Sequence, residues 1–265
     1  MFNYNNGYSL ITGASYGLGA EFARQLAFKG SNLILVARSK EKLEALSNEL
    51  KQQFNIKILF IAADLTNNAD IENIFKIITD ECIQINLLIN NAGVGTTGSF
   101  LSKDFAEYQT QMSLNNQALV NLTYKFLPNM LSKKYGGIIN IGSSVSFQPI
   151  PYMAIYAATK AFVLSFSEAL GYELKDTNIR VLVSCPGTTN THFFDNIKSA
   201  ITRKQMDDPK IVVKNTIKAF EDNKKIAYPG RLFVYFNSFM IRFIPRSMVV
   251  KMTGIVVKAL GFNNV

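Results

Sequence analysis

Short apolar runs alternate with longer segments of helical periodicity along most of the chain, and this alternation constrains the fold more than any other feature. The runs are apolar at nearly every position, which is typical of strands covered on both faces. Between them, apolar residues recur every three or four positions, as in Leu18, Phe22 and Leu26, and this spacing predicts amphipathic helices. The pattern indicates an α/β fold with a doubly wound parallel sheet flanked by helices. The predicted strands are residues 8–11, 33–37, 56–62, 87–90, 138–142 and 181–184, with a short last strand at 226–229.

The expected organisation is a single domain covering residues 1–265. A hydrophobic share of 48% supplies a substantial core, and α/β folds of this length commonly form one domain. Residues of about 190–240 form a variable segment, within which Asp208 and Pro209 predict a helix start. Residues 231–265 form an apolar C-terminal extension that Pro245 and several basic residues interrupt. Because a spanning helix needs roughly 20 consecutive apolar residues, we do not expect transmembrane insertion.

The basic balance of the chain raises three classes of partner: nucleic acid, an anionic membrane and an anionic cofactor. Lys and Arg outnumber Asp and Glu by 28 to 19, but the basic residues are scattered along the chain. The absence of a dense basic run interleaved with aromatic residues argues against nucleic acid. The C-terminal extension has four interpretations: packing on the core, widening of a ligand pocket, contact with a second subunit, or peripheral contact with a membrane. Core packing is at least as well supported as the others.

The cysteines, the histidine and the N-terminus bear on compartment and metal chemistry. Cys82 and Cys185 are too few and too far apart in sequence for a secreted disulfide framework. Residues 1–8 are rich in Asn and lack the features of a signal peptide. We therefore expect a cytoplasmic protein, with membrane association left open. The single histidine, His192, is interpreted as a loop surface residue and excludes a multi-histidine site, so no metal is predicted.

A glycine-rich turn follows the first predicted strand and opens the first predicted helix. It reads Thr-Gly-Ala-Ser-Tyr-Gly-Leu-Gly from Thr12 to Gly19. Glycines allow a ligand to approach the backbone, and the N–H groups and dipole of a helix N-terminus attract a pyrophosphate. Glycines also serve tight turns for structural reasons alone. The order of strand, turn and helix favours dinucleotide binding by a Rossmann-type sheet.

Further motifs follow the glycine turn in a consistent order. Asp64 follows the third strand, Asn90-Asn91-Ala92-Gly93 follows the fourth, and Pro186-Gly187 with Thr191 follows the sixth. With the glycine spacing of the turn, this series resembles the short-chain dehydrogenase/reductase family from about Tyr8 to about Thr191. Residues 38–43 look similar to the branch that contains 3-oxoacyl-thioester reductases and 17-beta-hydroxysteroid dehydrogenases. The resemblance implies cofactor contacts from Gly13, Ser15, Tyr16, Gly17, Leu18, Gly19, Arg38, Asp64, Leu65, Asn91, Ala92, Gly93, Tyr156, Lys160, Pro186, Gly187, Thr189 and Thr191.

Four residues are the candidates for catalysis: Asn115, Ser143, Tyr156 and Lys160. Tyr156 and Lys160 are four positions apart on a predicted helix, so they share one face. A nearby ammonium stabilises phenolate, which predicts a lowered pKa for Tyr156 and a usable acid or base. Ser143, at a strand end, is placed to donate a hydrogen bond to the substrate oxygen; Ser144 competes for this role, but its spacing to Tyr156 is one residue short of the family's. The resemblance implies that Lys160 also holds the nicotinamide ribose and that Asn115 supports a water relay.

Cofactor preference depends on the end of the second predicted strand. NAD enzymes commonly place an acid there, on the ribose hydroxyls. This chain has Arg38 followed by Ser39 and no carboxylate at that point, which favours binding of a 2'-phosphate and thus NADP(H) over NAD(H). Many NADP-preferring relatives also have Arg or Lys just before the second glycine, whereas this chain has Tyr16 there. Arg38 is therefore the single basic residue that supports the preference.

The predicted substrate is a lipophilic carbonyl or alcohol, such as a fatty-acyl or steroid-like ketone or aldehyde. Its expected wall is mostly apolar: residues 94–98, 147–153 and the variable segment from 190, including Phe194. Ser143, Tyr156, Phe147 and Tyr152 are the predicted substrate contacts. The alternative function is a catalytically silent NADP-binding sensor or scaffold on the same fold. The family usually associates through helices corresponding to residues 113–132 and 156–175, which implies a homodimer or homotetramer.

Overall fold

The computed structural model describes residues 2–191, 193 and 202–263. Within them, seven parallel strands form one sheet in the order β3-β2-β1-β4-β5-β6-β7. This arrangement confirms the predicted α/β fold. His192 and Phe194, both interpreted from the sequence, lie outside the described residues. The strands are β1 (Tyr8–Thr12), β2 (Asn32–Ala37), β3 (Ile58–Ala62), β4 (Ile85–Asn90), β5 (Gly136–Ile141), β6 (Ile179–Ser184) and β7 (Ile226–Ala227).

Two strands are shorter than the sequence predicts, for local reasons. The apolar run at Ile56 precedes β3, but the Ile56 N–H bonds the Phe54 carbonyl at 3.0 Å rather than a neighbouring strand. Next to it, the backbone N–H of Lys57 donates to the Asn32 side chain at 2.8 Å. At the far edge, β7 stops before Pro229, a residue that has no N–H to continue a ladder.

Helices cover both faces of the sheet. Neighbouring residues of β1 belong to opposite layers, with Ile11 packed beneath α1, α2 and α7 and Leu10 packed beneath α3 and α5. This explains why the strands are apolar at nearly every position. The helices are α1 (Gly17–Phe28), α2 (Lys40–Gln53), α3 (Asn68–Asp80), α4 (Phe105–Met112), α5 (Ala118–Ser132), α6 (Ala154–Glu173), α7 (Pro209–Glu221), α8 (Leu232–Met240) and α9 (Arg246–Ala259).

The helices show the predicted start of α7, a π-helical stretch before α5, and no segment suited to crossing a membrane among the described residues. Asp208 caps α7 by accepting from the Lys210 N–H at 2.8 Å, and Pro209 is the first helical residue, as predicted. A π-helical stretch, Ser113–Gln117, connects α4 to α5, a geometry often found at functional positions. Among the described residues, none of the helices combines the length and the apolar character that crossing a bilayer requires.

Strand order reverses between β1 and β4, and this reversal locates the crevice. In a doubly wound sheet, ligands bind outside the carboxyl ends of the strands at such a switch point. The loops after β1, β2, β4, β5 and β6 all open on this edge. The edge therefore collects the residues that the sequence motifs single out.

Candidate active site

A cavity of about 630 Å³ occupies the carboxyl edge of the sheet at the switch point. Its wall includes the glycine turn, the end of β2, the loops after β4 to β6, and the first turns of α6. Most of the site residues predicted from the sequence are brought together there. Those that line the cavity are Gly13, Ser15, Tyr16, Gly17, Leu18, Arg38, Asp64, Leu65, Asn91, Ala92, Gly93, Ser143, Tyr156, Lys160, Pro186, Gly187, Thr189 and Thr191.

The glycine turn is shaped by backbone conformations that favour glycine. Gly13 and Gly17 have φ of 64° and 60°, in the left-handed region. Gly19 lies behind the turn rather than on the cavity wall, where a Cβ would collide with the Gly13 carbonyl and come within 2.7 Å of the Asn91 side chain. Only a residue without a side chain allows α1 to start so close to β1.

Asn91 holds the turn in place from the neighbouring strand. Its side-chain amide donates to the Thr12 carbonyl at 2.8 Å, and its backbone N–H donates to the Thr12 hydroxyl at 2.9 Å. The Ala92 N–H reaches the same hydroxyl at 3.0 Å. The Asn-Asn-Ala-Gly motif thus fixes the floor of the cavity against the glycine turn.

The residues of this edge fit a dinucleotide. The first N–H groups of α1 have no intrahelical acceptor, as at any helix start, and face the turn with the positive end of the helix dipole. Further along, a Cβ on Gly93 would meet Asn115 Oδ1 at 3.1 Å and Lys160 Nζ at 3.5 Å, so the bare backbone keeps this space open. The cavity runs from these groups to Arg38 and Asp64 at its other end.

Arg38 and Asp64 line the end of the cavity that lies farthest from Tyr156. Asp64 Oδ1 accepts from the Thr66 N–H at 2.9 Å and from the Thr66 hydroxyl at 2.7 Å. These bonds, the backbone one above all, hold the pKa of Asp64 below its usual value, and the nearby charge of Arg38 contributes. Arg38 itself forms no salt bridge with another described residue, so its guanidinium is available to an anion. Glu41 and Lys42 also line this end.

Tyr156 and Lys160 lie on the inner face of α6, and both are buried. Burial raises the pKa of Tyr156 to about 12, against a lowering contribution from its hydrogen bond with Ser143. Burial also lowers the pKa of Lys160 to about 8. The sequence predicts that Lys160 lowers the pKa of Tyr156, whereas in the structure desolvation dominates and Lys160 Nζ lies 6.0 Å from the centre of the Tyr156 ring. Lys160 Nζ instead donates to the Ile141 carbonyl at 2.8 Å.

Ser143 is positioned by a short turn that follows β5. Its hydroxyl accepts from the Val145 N–H at 3.3 Å, and its own N–H donates to the Ser146 hydroxyl at 3.1 Å. The Ser143 hydroxyl also interacts with Tyr156. Ser144 lines the cavity as well, but no such interaction with Tyr156 is found for it. The geometry therefore favours Ser143 over Ser144 as the partner of Tyr156.

Asn115 lies behind the cavity wall, in the π-helical stretch. Its amide oxygen accepts from the Val94 N–H at 2.9 Å, and its amide nitrogen donates to the Val94 carbonyl at 2.9 Å and to the Thr159 hydroxyl at 3.0 Å. The Thr159 hydroxyl in turn donates to the Tyr156 carbonyl at 2.8 Å. Thr159 thus joins Asn115 to α6 between Tyr156 and Lys160. Thr159 is not among the residues predicted from the sequence, although it directly precedes Lys160.

Two predicted substrate contacts are not part of this cavity. Phe147 stacks on Tyr228, with ring centres 5.5 Å apart, because it turns toward the β6 side of α6. Tyr152 has φ of 63° and lines a smaller cavity of about 280 Å³ beside Gly98 and Tyr108. The apolar wall near Tyr156 contains Ile150, Met153 and Phe193, which lie in the predicted wall, together with Val257, Leu260 and Phe262.

The last three of those residues come from the C-terminal extension. Val257 lies in α9, and Leu260 and Phe262 directly follow it. The extension therefore packs against the residues around Tyr156 and contributes part of the cavity wall. The hydropathy pattern alone could not place them, because their contacts join segments about 100 residues apart.

The chain is similar in sequence to known proteins. A family model described as short chain dehydrogenase matches residues 8–202. The chain is 37% identical over 179 residues to a very-long-chain 3-oxoacyl-CoA reductase of Neurospora crassa, a match that covers 66% of this chain and 53% of that protein. It is 32% identical over 206 residues to 17-beta-hydroxysteroid dehydrogenase type 3 of Rattus norvegicus, covering 76% and 66%. The matches thus span about half to two thirds of these relatives.

The fold is also shared with a solved structure. A short-chain dehydrogenase from Sphingobium yanoikuyae in complex with NADPH superposes with a TM-score of 0.80 at 31% identity, covering 89% of this chain and 93% of that one. The match of the family model extends over most of the sequence, from β1 to beyond β6. The chain therefore belongs to the short-chain dehydrogenase family of oxidoreductases, whose fold binds a nicotinamide cofactor.

Proposed function

We propose that this protein reduces a lipophilic ketone or aldehyde, of a fatty-acyl or steroid-like kind, with NADPH. The observation that carries the proposal is the convergence of Ser143, Tyr156 and Lys160 on one cavity with an apolar wall at the same end and Arg38 at the other. The names of the fungal and rat relatives, an acyl-CoA reductase and a hydroxysteroid dehydrogenase, support a lipophilic substrate.

The side chains divide the chemistry in the following way. NADPH, when bound, supplies the hydride. Tyr156 is protonated at neutral pH because burial raises its pKa to about 12, so it serves as the proton donor to the carbonyl oxygen. Ser143 donates a hydrogen bond to that oxygen as negative charge develops. Lys160, charged at neutral pH, stabilises the phenolate left on Tyr156, and Asn115 holds the backbone around Val94 in position.

The preference for NADPH rests on the charges at the end of β2. Arg38 has no salt bridge among the described residues and Lys42 lies beside it on the cavity wall. Both cations favour a 2'-phosphate. Glu41 lies on the same wall and acts against it, but its carboxylate already accepts from the Ser39 hydroxyl at 3.2 Å. The NADPH-bound relative from Sphingobium yanoikuyae supports the same choice.

The proposed setting is a cytoplasmic homo-oligomer built from one domain, with its C-terminal extension in peripheral contact with a membrane. Exposed aromatic side chains on α5 and α6, namely Tyr124, Phe162 and Tyr172, support association through these helices. Burial of such exposed aromatic side chains against a second copy would remove apolar area from water. The membrane contact is argued separately below.

The function is tested by replacing Tyr156 with Phe. We expect Tyr156→Phe to bind NADPH with unchanged affinity and to lower kcat/KM for ketone reduction by about 10²- to 10⁴-fold, the usual contribution of a general acid. Consumption of NADPH and of NADH is followed with aliphatic, steroid and acyl-thioester ketones. Tyr172→Phe, an exposed tyrosine farther along the same helix, is the control and should match the wild type.

Three results would contradict the proposal. Undiminished turnover by Tyr156→Phe would remove the tyrosine from the mechanism. Faster consumption of NADH than of NADPH by the wild type would overturn the role given to Arg38. Tight NADPH binding by the wild type without turnover of any ketone would favour a silent NADP-binding sensor instead.

A further inference from the structure

The C-terminal helices present an apolar surface to solvent. In α8 the residues that point inward are Val234 and Ser238, while the apolar stripe points outward. Leu232, Phe233 and Phe243 are 76%, 74% and 71% exposed. An ordinary surface helix has the opposite arrangement, with its apolar stripe toward the core. The C-terminal apolar surface, as we define it, consists of Leu232, Phe233, Phe236, Phe239, Met240 and Phe243, continued on α9 by Met248, Met252 and Ile255.

This surface is concentrated rather than scattered. Of the 23 large apolar side chains that are exposed in the described part of the chain, 12 lie between Leu232 and Val256. Single exposed apolar residues need no explanation, but a contiguous patch marks an interaction site. The chain therefore exposes, along one segment of its sequence, apolar side chains that would be more stable when covered.

The charges that residues 223–265 add to this surface have one sign, and one of them, Arg231, pairs with Asp207 at 3.4 Å. No Asp or Glu follows Asp222 in the sequence, whereas Arg231, Arg242, Arg246, Lys251 and Lys258 are distributed along the two helices. Arg242, Arg246 and Lys251 are exposed beside the apolar residues. An apolar face bordered by Lys and Arg is complementary to a bilayer with anionic headgroups.

The opposite face of α9 lines the active site. Val249 and Val257 are buried on that face, and Val257, Leu260 and Phe262 form part of the cavity wall near Tyr156. The Thr253 hydroxyl donates to the Pro149 carbonyl at 3.1 Å, which ties α9 to the loop before Tyr156. One helix thus separates the exposed apolar surface from the apolar end of the cavity.

We propose that the C-terminal apolar surface binds a bilayer containing anionic lipids, and that this contact brings the apolar end of the cavity next to substrates dissolved in the bilayer. The second part rests on the proposed reduction of a lipophilic carbonyl. The first part does not, because it depends only on the exposed apolar and basic residues.

A second copy of this chain is the competing occupant, and the charges disfavour it. A two-fold contact would pair the surface with itself. It would bring together the cations of both copies, and residues 223–265 contribute no Asp or Glu side chain to balance them. Burying like charges across an interface is unfavourable. Anionic headgroups would neutralise the same cations.

Sedimentation with lipid vesicles tests the proposal. We expect the full chain to sediment with vesicles of phosphatidylcholine and phosphatidylserine and to remain largely in solution with phosphatidylcholine alone. Phe236→Ser/Phe239→Ser removes apolar area that the bilayer would bury, and Arg246→Gln/Lys251→Gln removes attraction to the anionic headgroups. Each double variant should therefore bind the anionic vesicles at least about tenfold more weakly. The matched controls, Phe28→Ser and Lys51→Gln/Lys133→Gln, change exposed residues elsewhere and should bind as the wild type does.

Activity in the same samples separates this proposal from the proposed function. A water-soluble ketone should be reduced equally by the wild type and both surface variants, whereas a long-chain ketone held in the anionic vesicles should be reduced at least about tenfold more slowly by the variants. If the wild type binds the anionic vesicles but reduces neither ketone, the proposed function is contradicted and the membrane proposal is not. No binding to anionic vesicles, equal binding to neutral ones, or a lowered oligomeric state of the surface variants would each overturn the membrane proposal.

Discussion

Burial sets the protonation of the two residues to which we assign the acid chemistry of the site, Tyr156 as the proposed proton donor and Lys160 as the proposed stabilising cation. It raises the pKa of Tyr156 to about 12 and lowers that of Lys160 to about 8, because desolvation disfavours the charged form of each. At neutral pH the phenol keeps its proton, and the buried ammonium remains charged at a cost in stability. In the proposed mechanism this loss of stability accompanies the placement of a cation near the Tyr156 hydroxyl.

The cost of burying Lys160 should appear as a dependence of stability on pH. The folded-state pKa of about 8 lies below the ordinary value of 10.5, so the unfolded chain binds more protons between these values and stability rises with pH across that window. Relative to Lys160→Met, the free energy of unfolding of the wild type without cofactor should rise by up to about 3 kcal/mol between pH 8 and 10.5. Urea unfolding at several pH values measures it, and a difference that does not change with pH would contradict the assignment.

At the scale of elements, the connection from β1 to α1 is the most tightly constrained part of the site. The turn between them is held by Asn91 after β4, through its bonds to Thr12. Gly19 lets the first turn of α1 lie against the Gly13 carbonyl. The shape of the cofactor end of the cavity therefore depends on β1, α1 and the loop after β4, and on the absence of a side chain at Gly19.

Replacing Gly19 with Ala should disrupt this connection. The added methyl group would meet the Gly13 carbonyl and the Asn91 amide, so α1 must shift, and we expect a loss of about 1–3 kcal/mol in stability and weaker NADPH binding. Thermal unfolding and NADPH titration measure the two effects. Gly171→Ala in α6 is the control, because its Cβ would have its nearest contact at an ordinary 3.6 Å from Val181; it should be neutral or slightly stabilising. Equal effects at the two positions would contradict the packing argument.

At the scale of the whole molecule, two exposed apolar regions have different surroundings. The C-terminal apolar surface is bordered by cations, whereas α6, which carries the exposed Phe162 and Tyr172, also carries the acidic residues Glu168 and Glu173. The second region is therefore the better candidate for contact with another copy of the chain, and the first for a bilayer.

Association through α5 and α6 predicts the effect of a charge at Phe162. This side chain is 44% exposed and stacks on Phe166. We expect Tyr124→Glu/Phe162→Glu to lower the mass of the particle in solution, measured by light scattering, because two carboxylates would be buried at the interface. Phe28→Glu, at an exposed position of α1, should leave the mass unchanged. An unaltered mass of the double variant would rule out this interface.

The sequence by itself determined the order of strands and helices along the chain, the glycine turn and most of the residues that line the cofactor end of the cavity. These properties depend on local periodicity and on residues such as Gly13, Tyr156 and Lys160, whose spacing along the chain is the signal. The parallel sheet follows from the same local information, since βαβ units have few ways to connect.

Only the tertiary structure decided what surrounds those residues. It placed Phe147 against Tyr228 and not in the cavity, brought Val257 to the cavity wall, and raised the pKa of Tyr156 where the spacing to Lys160 predicted a lowered one. Each of these outcomes depends on contacts between residues far apart in sequence. Burial and desolvation belong to the packed molecule, so no local pattern of residues could specify them.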